Sequence, residues 1–171
     1  MRRLAAALVL PGLASAAQAE VVSATPAGFE VASKVVVVVP PAEAYAALGR
    51  IGEWWNPAHS YSGSGANLSV DLRAGGCFCE KLPGGGGIEH MRVVLAWPGK
   101  MLRLSGGLGP LQGEGASGAL TWTLKPVDGG TEIVQSYVVG GYIRAGADKL
   151  APVVDQVMGE QLERLKARLA H

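Results

Sequence analysis

A change of hydrophobic period along one chain narrows the possible folds more than any other feature. Between Leu68 and Val139 the residues fall into six short runs that alternate toward a period of two, at 68–72, 77–82, 88–97, 101–108, 118–125 and 131–139. Such runs predict strands, because successive side chains on a strand point to opposite faces. Gly75-Gly76, Pro83 with Gly84–Gly87, Pro98-Gly99, Gly109-Pro110 and Asp128-Gly129-Gly130 separate them. Each is a turn signal short enough to join antiparallel neighbours. After residue 139 the period lengthens. Leu150, Val153, Val154, Val157, Met158, Leu162, Leu165 and Leu169 recur at steps of three and four, an apolar stripe along one helix. Pro152 is tolerated only near a first turn, which puts the helix start between Ala147 and Ala151. The stripe must dock on the sheet.

Upstream, 29–39 carries five consecutive valines and is expected to be a largely buried strand. Pro40-Pro41 ends it and opens a short helix that stops at Gly49. A further helical turn over 51–55 is stopped by Asn56-Pro57. Residues 20–27 are expected to be a loose leader. The whole is an α+β fold: strand, two short helices, a meander of six strands and one long C-terminal helix.

The first nineteen residues have a different character. Arg2-Arg3, an apolar run over 4–13 and the small-residue site Ala17-Gln18-Ala19 form the order of a secretory signal. The expectation is a signal peptide over 1–19, a domain over 28–171 and a periplasmic or secreted location. The apolar run is too short to span a bilayer, which takes about 20 residues, and no later stretch reaches that length without Gly, Pro or charge, so no stable membrane insertion is expected. A net charge of +1, with basic residues scattered except in the last helix, excludes an electrostatic footprint for nucleic acid.

Chemistry-bearing residues concentrate in the hairpin GGCFCEKLPGGGGIEHMR at 75–92 and in the Trp-rich segment at 54–61. On a regular strand Cys77 and Cys79 share a face with Cα atoms about 6.6 Å apart, the long edge of disulfide geometry. Three readings stay open: two small buried side chains, a strained or redox-active disulfide in an oxidising compartment, aided by a bulge near Gly75-Gly76, or a metal pair with His90. No set of four zinc ligands is completed, and metal is the least favoured reading. Gly84–Gly87 lacks the GK[ST] and following helix of a phosphate cradle, so no cofactor is expected. Strict alternation places Glu80 and Glu89 opposite Cys77, Cys79 and His90, and places Arg92 on the His90 face. His90 is then either a hydrogen-bonded structural residue or an acid–base group sharing its face with Arg92, Gln135 or Tyr137. Trp54 and Trp55 at a helix end diverge by about 100°, so one is expected in the core and the other at a pocket entrance.

Trp54-Trp55-Asn56-Pro57-Ala58-His59-Ser60-Tyr61, the stretch GGCFCEKLPGGGGIEHMRVVLAWPGKMLRLSGGLGPLQ, GALTWTLKP and the late VGGY together resemble the SRPBCC or START-like superfamily. The resemblance is to its bacterial polyketide-cyclase-like and heat-shock ATPase activator-like branch, and covers the chain from about Phe29 onward. It implies a helix-grip fold, with a curved antiparallel sheet holding the long helix over a pocket for a small hydrophobic or aromatic molecule. It places Trp54, Trp55, His59 and Tyr61 at the mouth and His90, Trp122 and Tyr137 inside. Cys77, Cys79 and Arg92 are expected to wall the same space. The family includes carriers, receptors, cyclases and co-chaperone domains. A binding protein is the leading expectation, followed by a cyclase- or dehydratase-like lyase using His90, then an interaction domain. The residues specify no oligomeric state.

Overall fold

Eight antiparallel strands form one curved open sheet in the computed structural model, which describes residues 20–170. The expected signal segment at 1–19 and His171 lie outside the described residues. In chain order the elements are β1 (Glu20–Thr25), β2 (Gly28–Val37), α1 (Pro41–Gly49), β3 (Leu68–Val70) and β4 (Cys77–Lys81). They continue with β5 (Gly87–Trp97), β6 (Met101–Gly106), β7 (Gly115–Val127), β8 (Gly130–Tyr142) and α2 (Ala147–Arg168). The spatial order is β1-β2-β8-β7-β6-β5-β4-β3, so the first long strand pairs with the last and the meander runs outward from there. This is the helix-grip arrangement.

Two expectations change. Residues 20–25 are not a loose leader but the edge strand β1, with Val21 paired to Val31 and Thr25 to Gly28. The valine run is not buried on both sides. Val35 and Val37 are buried while Val36 and Val38 are exposed, because only the concave face of the sheet is covered. The alternation was hidden by valine standing at both parities.

Helix α2 crosses the concave face over β1, β2 and β8. Its C-terminal half packs as the stripe demands, with Met158, Leu162, Leu165 and Leu169 buried. Its N-terminal half does not: Val153 is 56% exposed, and Leu150, Val154 and Val157 are only half-buried. Helix α1 covers the other end of the concave face, where Ala44, Tyr45, Ala47 and Leu48 turn inward.

Between the two helices the core holds a polar knot. Gln135 on β8 accepts from the Trp122 indole Nε1 at 2.9 Å and donates to the Met158 carbonyl at 2.9 Å and the Ser33 hydroxyl at 3.3 Å. Every polar atom of that amide is engaged, which is what makes its burial tolerable. The knot ties β2, β7 and β8 to α2. Among the described residues no helix is long and apolar enough to cross a membrane.

Candidate functional site

The segment between α1 and β3 is held in place before it contributes to any site. The backbones of Gly52 and Gly65 approach so closely that a Cβ on Gly65 would meet the Gly52 carbonyl oxygen at 2.6 Å, and one on Gly52 would meet the Gly65 oxygen at 2.4 Å. Only glycine allows that contact. Helix α2 clamps the same segment. Gln161 Oε1 accepts from the Asn56 amide at 2.7 Å, Arg164 donates to the Trp54 carbonyl at 2.7 Å, and His59 Nε2 lies 3.2 Å from Glu160 Oε2.

Trp54 and Trp55 are both buried, contrary to the helical expectation. The helical turn ends at Glu53, and Trp54 has φ −130°, so the 100° divergence of a continuous helix does not apply. Their roles still differ. Trp54 donates its indole N–H to the Ala47 carbonyl at 2.9 Å and belongs to the core. Trp55 donates to the His59 carbonyl at 3.1 Å and lines a pocket.

That pocket measures about 430 Å³ and lies between the 55–61 segment, the inner ends of β4 and β5, the 108–111 turn, Tyr137 and α2. Its helix wall is Leu150, Val153, Val154, Val157 and Met158. The half of the apolar stripe that the sheet leaves uncovered is therefore the half that faces this space. A chain of rings forms the opposite wall: Trp55 to Phe78 at 5.6 Å, Phe78 to His90 at 4.9 Å and His90 to Tyr61 at 6.0 Å between centroids.

A β-bulge sets the chemistry of that wall. Phe78 pairs with Met91, yet the next residue, Cys79, pairs with Glu89, so His90 is the extra residue. The bulge turns His90 inward beside Met91 and reverses the parity of what precedes it. His90 therefore shares its face with Phe78 and Glu80, and not with Cys77, Cys79 or Arg92. The strict alternation assumed from sequence fails at this step.

His90 Nε2 lies 2.9 Å from Glu80 Oε2, and the two side chains are 4% and 0% exposed. Glu80 also accepts from the Tyr61 amide at 3.1 Å and from the Ser62 amide. Burial pushes the Glu80 carboxyl upward, but hydrogen bonds from Ser62, Tyr61 and His90 outweigh it and hold the group below the usual carboxylate range. An ionised carboxylate only accepts, so the proton between the pair resides on His90 Nε2. His90 Nδ1, buried in the pocket wall, has no hydrogen-bond partner among the described residues. Tyr137 also lines the pocket; its hydroxyl accepts from the Leu108 amide at 3.1 Å. Burial raises the Tyr137 phenol to about 12, a shift the Leu108 bond only moderates.

Of the residues singled out from sequence, Trp55, His59, Tyr61, His90 and Tyr137 line the pocket. Trp54 and Trp122 are core residues with their indoles bonded elsewhere. Arg92 is exposed on the outer face, paired with Glu89 and donating to the Gly75 carbonyl at 3.0 Å. Cys77 and Cys79 are on that outer face too and are joined to each other as a disulfide. Their Cα atoms are 5.4 Å apart, inside bridging range, and the bridge overturns the reading of two small buried side chains. Glu80 was the residue missed. Its signal was present, since Phe78 and Glu80 have the same parity and an apolar Phe marks the inward face.

The sequence pattern of the family described as polyketide cyclase / dehydrase and lipid transport matches residues 28–170. A search among curated proteins gave no match. Among solved structures, an uncharacterised protein of Rhizobium leguminosarum superposes with a TM-score of 0.62 at 17% identity, covering 91% of this chain and 98% of the other. A Rhodobacter sphaeroides protein gives 0.55 at 21% identity, covering 90% and 98%. The Aha1 dimer of Colwellia psychrerythraea gives 0.59 at 16% identity, covering 82% and 96%. At these identities the likeness establishes the fold.

Proposed function

Because the chain belongs to the polyketide cyclase / dehydrase and lipid transport family, we propose that it is an exported carrier or receptor for one small, mostly hydrophobic molecule, held between the sheet and α2. The observation that carries this reading is the uncovered half of the α2 stripe. Val153, Val154 and Val157 are apolar residues on an otherwise amphipathic helix, and no protein group packs over them fully. Exposed apolar surface of this kind is costly unless something covers it. A space of about 430 Å³ lies within the range of small-molecule pockets.

The polar end of the pocket sets the ligand's chemistry. With Nε2 committed to Glu80, His90 turns to the pocket the one ring nitrogen, Nδ1, that has no partner among the described residues. A ligand with an apolar body and one hydroxyl, phenolic or aliphatic, satisfies it. Export rests on the leader pattern at 1–19 and places the carrier in the periplasm or outside the cell.

The test combines extraction and titration. Mass spectrometry of an organic extract from the purified chain is expected to find a retained hydrophobic molecule. Titration with alkyl phenols and long-chain alcohols is expected to change Trp55 fluorescence saturably, and Val157→Trp, which fills the pocket from the helix side, is expected to abolish the response. No retained molecule together with no saturable response overturns the reading.

A second reading is favoured by one specific observation, the 2.9 Å Glu80–His90 pair. A histidine oriented by a carboxylate and free at its other nitrogen is arranged as a general base. In a cyclase- or dehydratase-like reaction, Nδ1 takes a proton from the substrate while Glu80 stabilises the resulting imidazolium. Conversion of a bound hydroxylated ligand by the natural chain, lost in His90→Gln with binding retained, distinguishes catalysis from carriage.

A further inference from the structure

The pocket makes no direct use of the Cys77–Cys79 bridge, which is on the opposite face of β4. We propose that this bridge is a surface thiol–disulfide exchange site whose substrate is a dithiol. Three features point to it. The bridge closes a loop with a sequence separation of only 2, so it removes little entropy from the unfolded chain and is a weak staple. The strand is held by other means, through buried Phe78 and the hydrogen-bonded Glu80. Both cysteines are partly exposed on the uncovered face of the sheet, within reach of an external sulfur.

Arg92 gives the exchange a direction. It is the cross-strand partner of Cys77, and its guanidinium is drawn toward that end of the strand by the Gly75 carbonyl. Glu89 partly neutralises that guanidinium, but Glu89 is the cross-strand partner of Cys79, so the pair favours a thiolate at Cys77 over one at Cys79 and makes Cys77 the better leaving group. The thiolate of an incoming dithiol attacks Cys79 Sγ, the Sγ–Sγ bond breaks, and its electron pair leaves on Cys77 Sγ. The second thiolate of the substrate then attacks its own sulfur in the mixed disulfide and releases Cys79 as a thiolate. The substrate ends as a disulfide, oxidised by two electrons, and the chain ends as the Cys77/Cys79 dithiol.

The experiment incubates the folded chain with dithiothreitol and, separately, with a reduced two-cysteine peptide. It follows thiols by alkylation and mass spectrometry and the fold by circular dichroism. The expected result is stoichiometric opening of the bridge with oxidation of the added dithiol and unchanged secondary structure. Reaction with dithiothreitol alone supports exchange with small dithiols, and reaction with both extends it to protein dithiols. Arg92→Gln is expected to slow opening on the order of threefold per unit rise in the leaving thiol's pKa, and equal rates overturn the role assigned to Arg92. A bridge that opens only in denaturant overturns the proposal, as does a Cys77→Ser/Cys79→Ser chain that fails to fold, because either result makes the bridge a structural staple.

Discussion

Glu80 and His90 meet across adjacent strands, with Nε2 2.9 Å from Oε2 and both side chains closed to solvent. Regular pairing would have kept them apart, and a single extra residue in β5 brings them together. The carboxylate is surrounded by donors, two of them backbone amides of the segment that carries Tyr61 and Ser62. The pair therefore fastens that segment to the sheet as well as polarising the histidine.

Glu80→Gln tests this fastening. Its amide NH2 meets amides that require an acceptor, and the expected loss of stability is about 1–3 kcal/mol. The acid response also changes. The folded pKa of Glu80 lies below its ordinary 4.5, so its contribution is complete above pH 4.5 and is lost as the pH falls through the folded value. Thermal unfolding of the natural chain should weaken as the pH drops below 4.5, and Glu80→Gln should lose that part of the pH dependence.

Tyr137 makes the opposite prediction at alkaline pH. Its phenol titrates at about 12 in the folded chain against 10.0 ordinarily. The neutral form is favoured by folding, so its contribution is complete below pH 10.0 and is lost as the pH rises through about 12. Tyrosinate absorbance should lose one late-titrating component in Tyr137→Phe, while that of Tyr45, whose phenol burial also raises, stays. At neutral pH that variant should lose about 0.5–1.5 kcal/mol, from the bond to the Leu108 amide.

Gln135→Leu removes the knot between the helices. It strands the Trp122 indole N–H in the core, at an expected cost of about 1–3 kcal/mol for that group alone. Adding Trp122→Phe removes the stranded donor. In denaturant titrations the double variant should therefore lose less than the sum of the two single losses.

Gly65→Ala tests the close approach to Gly52. The new Cβ would lie 2.6 Å from a backbone oxygen, so the segment must shift, at an expected cost of about 1–3 kcal/mol. Hydrogen exchange at the amides of Trp55, His59 and Tyr61 should speed up, because the strain falls on the segment walling the pocket. Exchange in β7 and β8 should be unchanged.

The strands of the meander and the long helix were legible because each rests on a local rule, period two between glycine and proline turns and then steps of three and four. Edge strand β1 was not legible. Its residues EVVSAT have no strong alternation and are mostly exposed, and they become a strand only because β2 offers an unpaired edge. The apolar stripe of α2 was read correctly as a stripe, but periodicity cannot tell which half meets the sheet and which half meets a pocket.

The same division runs through the site. By itself the sequence determined the strand meander and the long amphipathic helix, the aromatic segment at 54–61 and the side-chain inventory of the hairpin, since these depend on residue type and spacing along the chain; the helix-grip arrangement was what the family resemblance implied. Tertiary structure decided which of those side chains share a face. One unpaired residue at the β5 bulge moved His90 from the Cys77 and Arg92 side to the Glu80 side, and side-chain parity inverts completely with a shift of one residue. Local patterns carry no record of such a shift, because it is set by how two strands pair and by what the concave face must bury.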